Sequence, residues 1–205
     1  MFQSAVDQRT IAALEKIKNW PLLQKFYLAG GTGLALQLGH RLSNDLDFFS
    51  QEGFQPPQIA AELNQYGSSK LIQEAEGTLE TLFENTRLSF FYYNYPLLKP
   101  LLPWQNIFIA DVQDIACMKL AALSHRGLKK DFVDVYFITQ EVMPMDALLE
   151  LFFKKYRAVN YDRYHLLKSL AYFDDAEKEP LPKMLKEFDW KRAKEFFADF
   201  ANKSL

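Results

Sequence analysis

The chain has 205 residues, 49% of them hydrophobic, which is enough for a packed core and excludes an intrinsically disordered protein. Its 24 Lys and Arg against 26 Asp and Glu give a formal charge of −2, so bulk charge advertises neither a nucleic-acid binder nor a membrane-surface protein; any nucleic-acid contact has to come from a local patch. The single cysteine, Cys117, excludes an intrachain disulfide and a cysteine zinc cluster, and no window reaches the roughly twenty apolar residues of a membrane span, so a soluble cytoplasmic protein without membrane partners is expected.

Apolar residues at Ala5, Ile11, Leu14 and Ile17 predict a packing helix from Ser4 to about Asn19, ended by Pro21. Phe26-Tyr27-Leu28 reads as a short strand, followed by Gly30-Gly31-Thr32-Gly33 and a helical Leu34 to Leu38. Asp45 to Phe49 reads as a second strand. Pro57 to Tyr66 has a proline at its start and Gly67 at its end, the punctuation of a helix. The period then changes: Lys70 to Ala75, Thr78 to Phe83 and Thr86 to Tyr93 are rich in aromatic and β-branched residues, with Gly77 and Glu84-Asn85 as turns, which predicts an antiparallel meander. Pro96, Pro100 and Pro103 mark a loop, and Ile107 to Ala110 a short last strand.

From Asp111 the signal is helical. Asp111 can cap a helix from Val112 to about His125, stopped by Gly127; Asp131 opens another, DFVDVYFITQ. Met145 to Tyr156, Asp162 to Tyr172 and Asp189 to Asn202 follow, with Asp174 to Pro182 as an exposed loop. The expected fold is α+β, a mixed, largely antiparallel sheet flanked by helices with a helical C-terminal half. The expected division is 1–110 as core and 111–205 as a helical part packed on it and contributing to the site.

Two features in Phe26 to Ser50 carry chemistry. Glycines after a strand let backbone N–H groups face an anion, and the start of the following helix adds partial positive charge. In Asp45-Leu46-Asp47 the strand alternation sends both carboxylates to one face, where they can hold Mg²⁺ beside a bound triphosphate. Either feature alone is common; together, on consecutive elements, they suit phosphoryl or nucleotidyl transfer. The Walker pattern and the spaced glycines of a dinucleotide site are both absent.

Gly30-Gly31-Thr32 with Ala35-Leu36, then His40-Arg41-Leu42-Ser43-Asn44-Asp45-Leu46-Asp47, resembles the DNA-polymerase-β-like nucleotidyltransferase superfamily and, within it, the AbiEii/AbiGii toxin family. Met118-Lys119-Leu120-Ala121-Ala122-Leu123 through Arg126, followed by Lys130-Asp131-Phe132-Val133-Asp134-Val135-Tyr136, is similar to that family's second signature, so the resemblance spans about Tyr27 to Phe137. It implies that Gly30, Gly31 and Thr32 hold the phosphates of an NTP, that Asp45 and Asp47 ligate Mg²⁺, and that Arg41 and Ser43 steady the metal-bearing loop or touch phosphate. It further implies that Lys119 contacts the triphosphate and that Asp131 is the acidic residue of the second signature, a candidate catalytic base. Read without it, Lys119 is a snorkelling helix lysine and Asp131 the N-cap of the next helix. Asp134 lies on the same helical face as Asp131 and can pair with Lys119, Arg126 or Lys130.

In one respect the chain departs from the family pattern. The superfamily's polymerase-like members carry a third metal carboxylate on a later strand, where Thr86 to Tyr93 offers Ser89; either Glu80 or Glu84 comes in from a neighbouring strand, Asp131 substitutes, or the two-metal mechanism is incomplete. The expected function is therefore Mg²⁺-dependent transfer of a nucleoside monophosphate from an NTP to a hydroxyl of RNA (such as tRNA) or protein, as the toxin of a toxin–antitoxin or abortive-infection system with a cognate antitoxin. The alternative is a weak or inactive nucleotide-binding or interaction module on the same fold.

Overall fold

In the computed structural model, which describes residues 1–205, the first helix starts later than its apolar spacing suggests. Helix α1 is Gln8–Ile17, capped by the Asp7 side chain, which accepts from the Arg9 N–H. The residues before it do other work: Val6 bridges Ser43, the Ser43 N–H donates to the Ala5 carbonyl, and the Asp7 N–H donates to the Ser43 carbonyl. Strand β1 (Tyr27–Leu28) and strand β2 (Asp45–Ser50) follow as expected, while helix α2 (Gly30–Leu38) begins at the glycines themselves instead of at Leu34. Helix α3 (Pro56–Leu63) precedes β3 (Ser69–Ala75), β4 (Thr78–Phe83) and β5 (Thr86–Tyr92). At the β4–β5 turn Glu84 and Asn85 both take left-handed φ, 49° and 64°, the conformation of a two-residue hairpin whose twist matches its strands.

The residues marked as loop by their prolines contain a further strand, β6 (Leu102–Trp104), which forms a hairpin with the expected last strand, β7 (Ile107–Ile109), through Gln105 and Asn106 at φ 45° and 65°. Pro103 is tolerated because β6 is the outermost strand, where a missing N–H leaves no ladder bond unmade on its open side. The sheet runs β3-β4-β5-β2-β1-β7-β6. Its β2–β5 and β1–β7 pairs are parallel and the other four antiparallel, a mixed and largely antiparallel sheet.

One face of this sheet is the core. Leu46 and Phe48 of β2, Leu79 and Phe83 of β4, and Leu88 and Phe90 of β5 pack with Leu14 and Ile17 of α1 and Ile59 and Leu63 of α3. Phe90 is the centre, with Phe26 and Trp20 edge-on at 5.1 and 6.0 Å and Phe48 stacked at 5.7 Å. Each such buried side chain contributes about 1.5–3 kcal/mol, so the strand register is strongly set, and the alternate residues Asp45, Asp47, Arg87, Ser89 and Glu80 are committed to the opposite face.

The chain forms two compact units, Met1–Asp111 and Val112–Leu205. The second holds α4 (Val112–Arg126), α5 (Lys129–Glu141), α6 (Met145–Lys155), α7 (Arg163–Leu170), the short α8 (Asp174–Glu177) and α9 (Trp190–Ser204). Helix α8 lies inside the segment expected as an exposed loop, and its Ala176 is buried. Phe132 centres an aromatic cluster with Phe173, Trp190 and Phe197, at 5.1, 5.8 and 5.3 Å. The Lys155 ammonium lies 2.6 Å from Asp114 Oδ1, both side chains fully buried. How apolar that interior is can be read from Cys117 on the same helix as Asp114, whose thiol burial pushes up to about 12. No helix of the chain is long and apolar enough to cross a membrane.

Candidate active site

The Asp-x-Asp strand behaves as alternation requires. Leu46, Phe48 and Ser50 are buried while Asp45, Asp47 and Phe49 are half-buried on the other face. Beside them α2 begins. Gly30 has φ +60°, and a Cβ built there would lie 2.5 Å from Asp47 Oδ2. A Cβ at Gly31 would lie 2.7 Å from Arg41 Nη2 and 3.1 Å from Ser43 Oγ. Only glycine permits this approach, so the cradle and the carboxylate expected from separate motifs are in contact. The first bond recorded at the start of α2 runs from the Gly33 N–H to the Ala29 carbonyl at 2.9 Å, which puts the N–H groups of Gly30, Gly31 and Thr32 among the orphan donors of a helix start.

The loop between α2 and β2 is tied down from several directions. Arg41 and Ser43 are both buried, and the Arg41 guanidinium donates to the Leu42 carbonyl at 3.1 Å. The Thr32 hydroxyl hydrogen-bonds Ser43 Oγ at 2.9 Å and also reaches the Asp45 carbonyl, while the Thr10 hydroxyl holds the Asn44 carbonyl at 2.9 Å. Thr32 and Ser43 therefore fasten the start of β2 to the start of α2, and what Thr32 offers an anion is its N–H rather than its hydroxyl. Gly30→Ala is expected to lower stability by about 1–3 kcal/mol, the strain of a non-glycine residue in a left-handed conformation, and to displace Asp47; equal melting temperature and equal Mg²⁺–NTP affinity in the two proteins would contradict the contact.

Ser89 stands beside Asp47 in the parallel β2–β5 register and is 1% exposed. Beyond it in the same row is Glu80 of β4, which accepts a short hydrogen bond from Arg87. Glu84 is elsewhere, at the β4–β5 turn, accepting from the Ser68 N–H and paired with Lys16 at 2.7 Å. No group of three or more His, Cys, Asp or Glu is placed to hold a metal ion. Asp45 and Asp47, on one face of β2, are a donor set of the kind that suits Mg²⁺, which is commonly held by one or two carboxylates and completes its shell with substrate phosphates and water.

In the helical unit, Asp131 is not an N-cap: α5 starts at Lys129 with Leu128 as cap, which places Asp131 in the first turn. Its carboxylate faces Lys119 Nζ at 3.2 Å and Arg126 Nε at 2.8 Å, and Lys119 also meets Asp134 at 2.6 Å. The Lys119 side chain is 6% exposed, so it is a buried ion-pair centre and not a snorkelling lysine. Burial pushes the Asp131 carboxyl up, but Lys119 and Arg126 outweigh it and hold it below the ordinary range. A carboxylate depressed in this way stabilises the fold above its unfolded pKa, about 3.9, and loses that contribution as pH falls through the folded value. The helical unit is thus expected to weaken below about pH 4, and Asp131→Asn to flatten that limb of an acid titration followed by circular dichroism; superimposable acid limbs would rule it out.

Sequence reading missed Arg87. It lies next to Asp45 in the β2–β5 register with its side chain 52% exposed. The hydrogen bond to Glu80, and after it the charges of Glu80, Asp45 and Asp47, hold its guanidinium more firmly protonated than usual.

Residues 12–97 match the family model described as the nucleotidyl transferase AbiEii toxin of type IV toxin–antitoxin systems. The Aquifex aeolicus (strain VF5) protein aq_aa25, itself uncharacterised, is 39% identical over 192 residues, 90% of each chain. Two solved Helicobacter pylori structures share the fold. JHP933 superposes with a TM-score of 0.56 at 15% identity, covering 97% of this chain and 90% of its own. A second, described as an expected nucleotidyltransferase, superposes at 0.57 and 16%, covering 97% and 93%.

Proposed function

Because the chain belongs to the AbiEii nucleotidyltransferase toxin family, we propose that it transfers a nucleoside monophosphate from an Mg²⁺-bound NTP to a hydroxyl of RNA or protein, as the toxin of a toxin–antitoxin pair. The observation that carries this reading is the direct apposition of Gly30 to the Asp47 carboxylate and of Gly31 to Arg41 and Ser43. A phosphate-binding helix start and a metal-binding strand are useful to nucleotidyl transfer only when they meet at one reacting phosphorus.

In this reading the N–H groups of Gly30, Gly31 and Thr32 bind the phosphates. Asp45 and Asp47 hold the metal, and the buried Arg41 guanidinium offsets charge beneath the cradle. Bound Mg²⁺ neutralises the polyphosphate and polarises the phosphorus under attack. Ser43 and Thr32 act through position, since their mutual hydrogen bond sets the distance between cradle and carboxylates. The roles expected of Lys119 and Asp131 are given no step in this reading, because their side chains are engaged with one another and with Asp134 and Arg126 in the helical unit.

A second reading, nucleotide binding with little or no transfer, is favoured by one feature: the row that starts at Asp47 continues with Ser89, and the next carboxylate, Glu80, is engaged by Arg87. Calorimetry with each NTP and Mg²⁺ beside a transfer assay separates the two. Binding with turnover supports the first reading, binding alone the second, and no binding removes both.

A further inference from the structure

The strand order gives the proposed active site two flanks. Strand β2 lies between β1 and β5, so Asp45 and Asp47 have the α2 cradle on one side and Arg87 on the other. An in-line transfer places the leaving pyrophosphate and the attacking hydroxyl on opposite sides of the reacting phosphorus. If the cradle takes the triphosphate, the β5 flank belongs to the acceptor. That flank is shaped and charged. Asp45, Arg87, Leu82 and Lys70 form one row across β2, β5, β4 and β3, since Asp45 pairs with Arg87, Arg87 with Leu82 and Leu82 with Lys70. The Arg87 side chain is 52% exposed, Leu82 is 38% exposed and Lys70 is exposed. Glu80, largely covered, accepts the Arg87 hydrogen bond from the neighbouring strand.

A guanidinium that stays half exposed beside two carboxylates assigned to the metal needs a reason. An anionic group on the acceptor supplies one: Arg presents a planar fork that matches phosphate, and bracing by Glu80 reduces the rotamer freedom lost on binding. Lys70, two strands farther along the same row, extends the positive charge toward the open edge of the sheet, with Leu82 as an apolar surface between. We propose that Arg87, positioned by Glu80 and followed by Lys70, is the acceptor-side contact of the active site, and that it binds a phosphodiester next to the acceptor hydroxyl of a polynucleotide end. The proposal rests on the nucleotidyltransferase reading and adds the acceptor's chemical class and the residues that hold it. No bond is made or broken by Arg87; the transferred nucleotide leaves pyrophosphate and joins the acceptor oxygen as in that reading.

The test uses the full chain and two probes: a fluorescein-labelled single-stranded oligoribonucleotide with a free 3′-hydroxyl, followed by anisotropy, and a non-hydrolysable NTP analogue with Mg²⁺, followed by calorimetry. Arg87→Gln is expected to weaken the oligonucleotide about tenfold, to lower the slope of log affinity against log salt by about 0.7, and to change analogue affinity less than about twofold. Arg87→Lys keeps the charge without the fork and falls between. Glu80→Gln is expected to weaken oligonucleotide binding only while Arg87 is present, so that the double variant binds no worse than Arg87→Gln, a coupling that a merely structural role would not produce. Unchanged oligonucleotide binding by Arg87→Gln overturns the proposal, as does an equal loss for both probes. A wild type that binds the analogue but not the oligonucleotide overturns it in favour of a protein acceptor. A wild type that does not bind the analogue refutes the nucleotidyltransferase reading itself.

Discussion

Asp47→Ala is expected to lower nucleotidyl transfer by about 10³-fold or more, since stabilisation of several kcal/mol by a metal ion converts at about 1.4 kcal/mol per decade. The side chain is half-buried at the edge of the cradle, so its removal should move the melting temperature by no more than about 3 °C. Asp47→Asn separates charge from shape. It fills the same space against Gly30 but carries no negative charge and replaces one oxygen with an NH2 donor that cannot ligate a hard cation, and its loss should approach that of alanine. Asp45→Ala should behave alike, with an added cost from loosening Arg87, its neighbour on β5. A transfer assay with purified variants of matched melting temperature measures this; wild-type rates in both aspartate variants would sink the assignment.

The largest expected effect on stability lies in the helical unit. Lys155→Met takes the 2.6 Å ammonium partner from Asp114 in an interior with both side chains fully buried, and breaking a pair of this kind costs about 3–5 kcal/mol. The double change Lys155→Met with Asp114→Leu should recover most of the loss, because a buried pair barely exceeds a well-packed apolar replacement once desolvation is counted. Because the chain has two units, a single unfolding free energy is a poor measure. Amide hydrogen exchange resolved along α4 and α6 is the suitable readout, with faster exchange there in Lys155→Met and restored protection in the double variant. Equal protection in all three proteins would contradict the account.

What was legible in the sequence follows the reach of each signal. Strand alternation is a local property, so Asp45 and Asp47 on one face and the β3–β4–β5 meander were readable from spacing and turn residues. The start of α1 was misplaced because the preceding residues satisfy their backbone at Ser43, some forty residues away. Strand β6 was hidden by Pro103, which argues against a central strand but not an edge one. Arg87 was invisible for a related reason. Its place beside Asp45 is set by a parallel pairing between β2 and β5, and nothing in either segment alone fixes that register. The Lys155–Asp114 pair joins residues 41 apart on two different helices, a pairing that no local spacing fixes.

The contact of Gly30 with Asp47 and of Gly31 with Arg41 has one purpose in this account, to hold a metal-bound nucleoside triphosphate for transfer. The most direct measurement incubates the wild-type chain with each α-labelled NTP, Mg²⁺ and total cellular RNA or protein. Label should become covalently attached to one acceptor class, with the transfer abolished by chelation and by Asp47→Ala. Tight Mg²⁺–NTP binding without covalent label on any acceptor would contradict it and leave nucleotide binding as the activity of the fold.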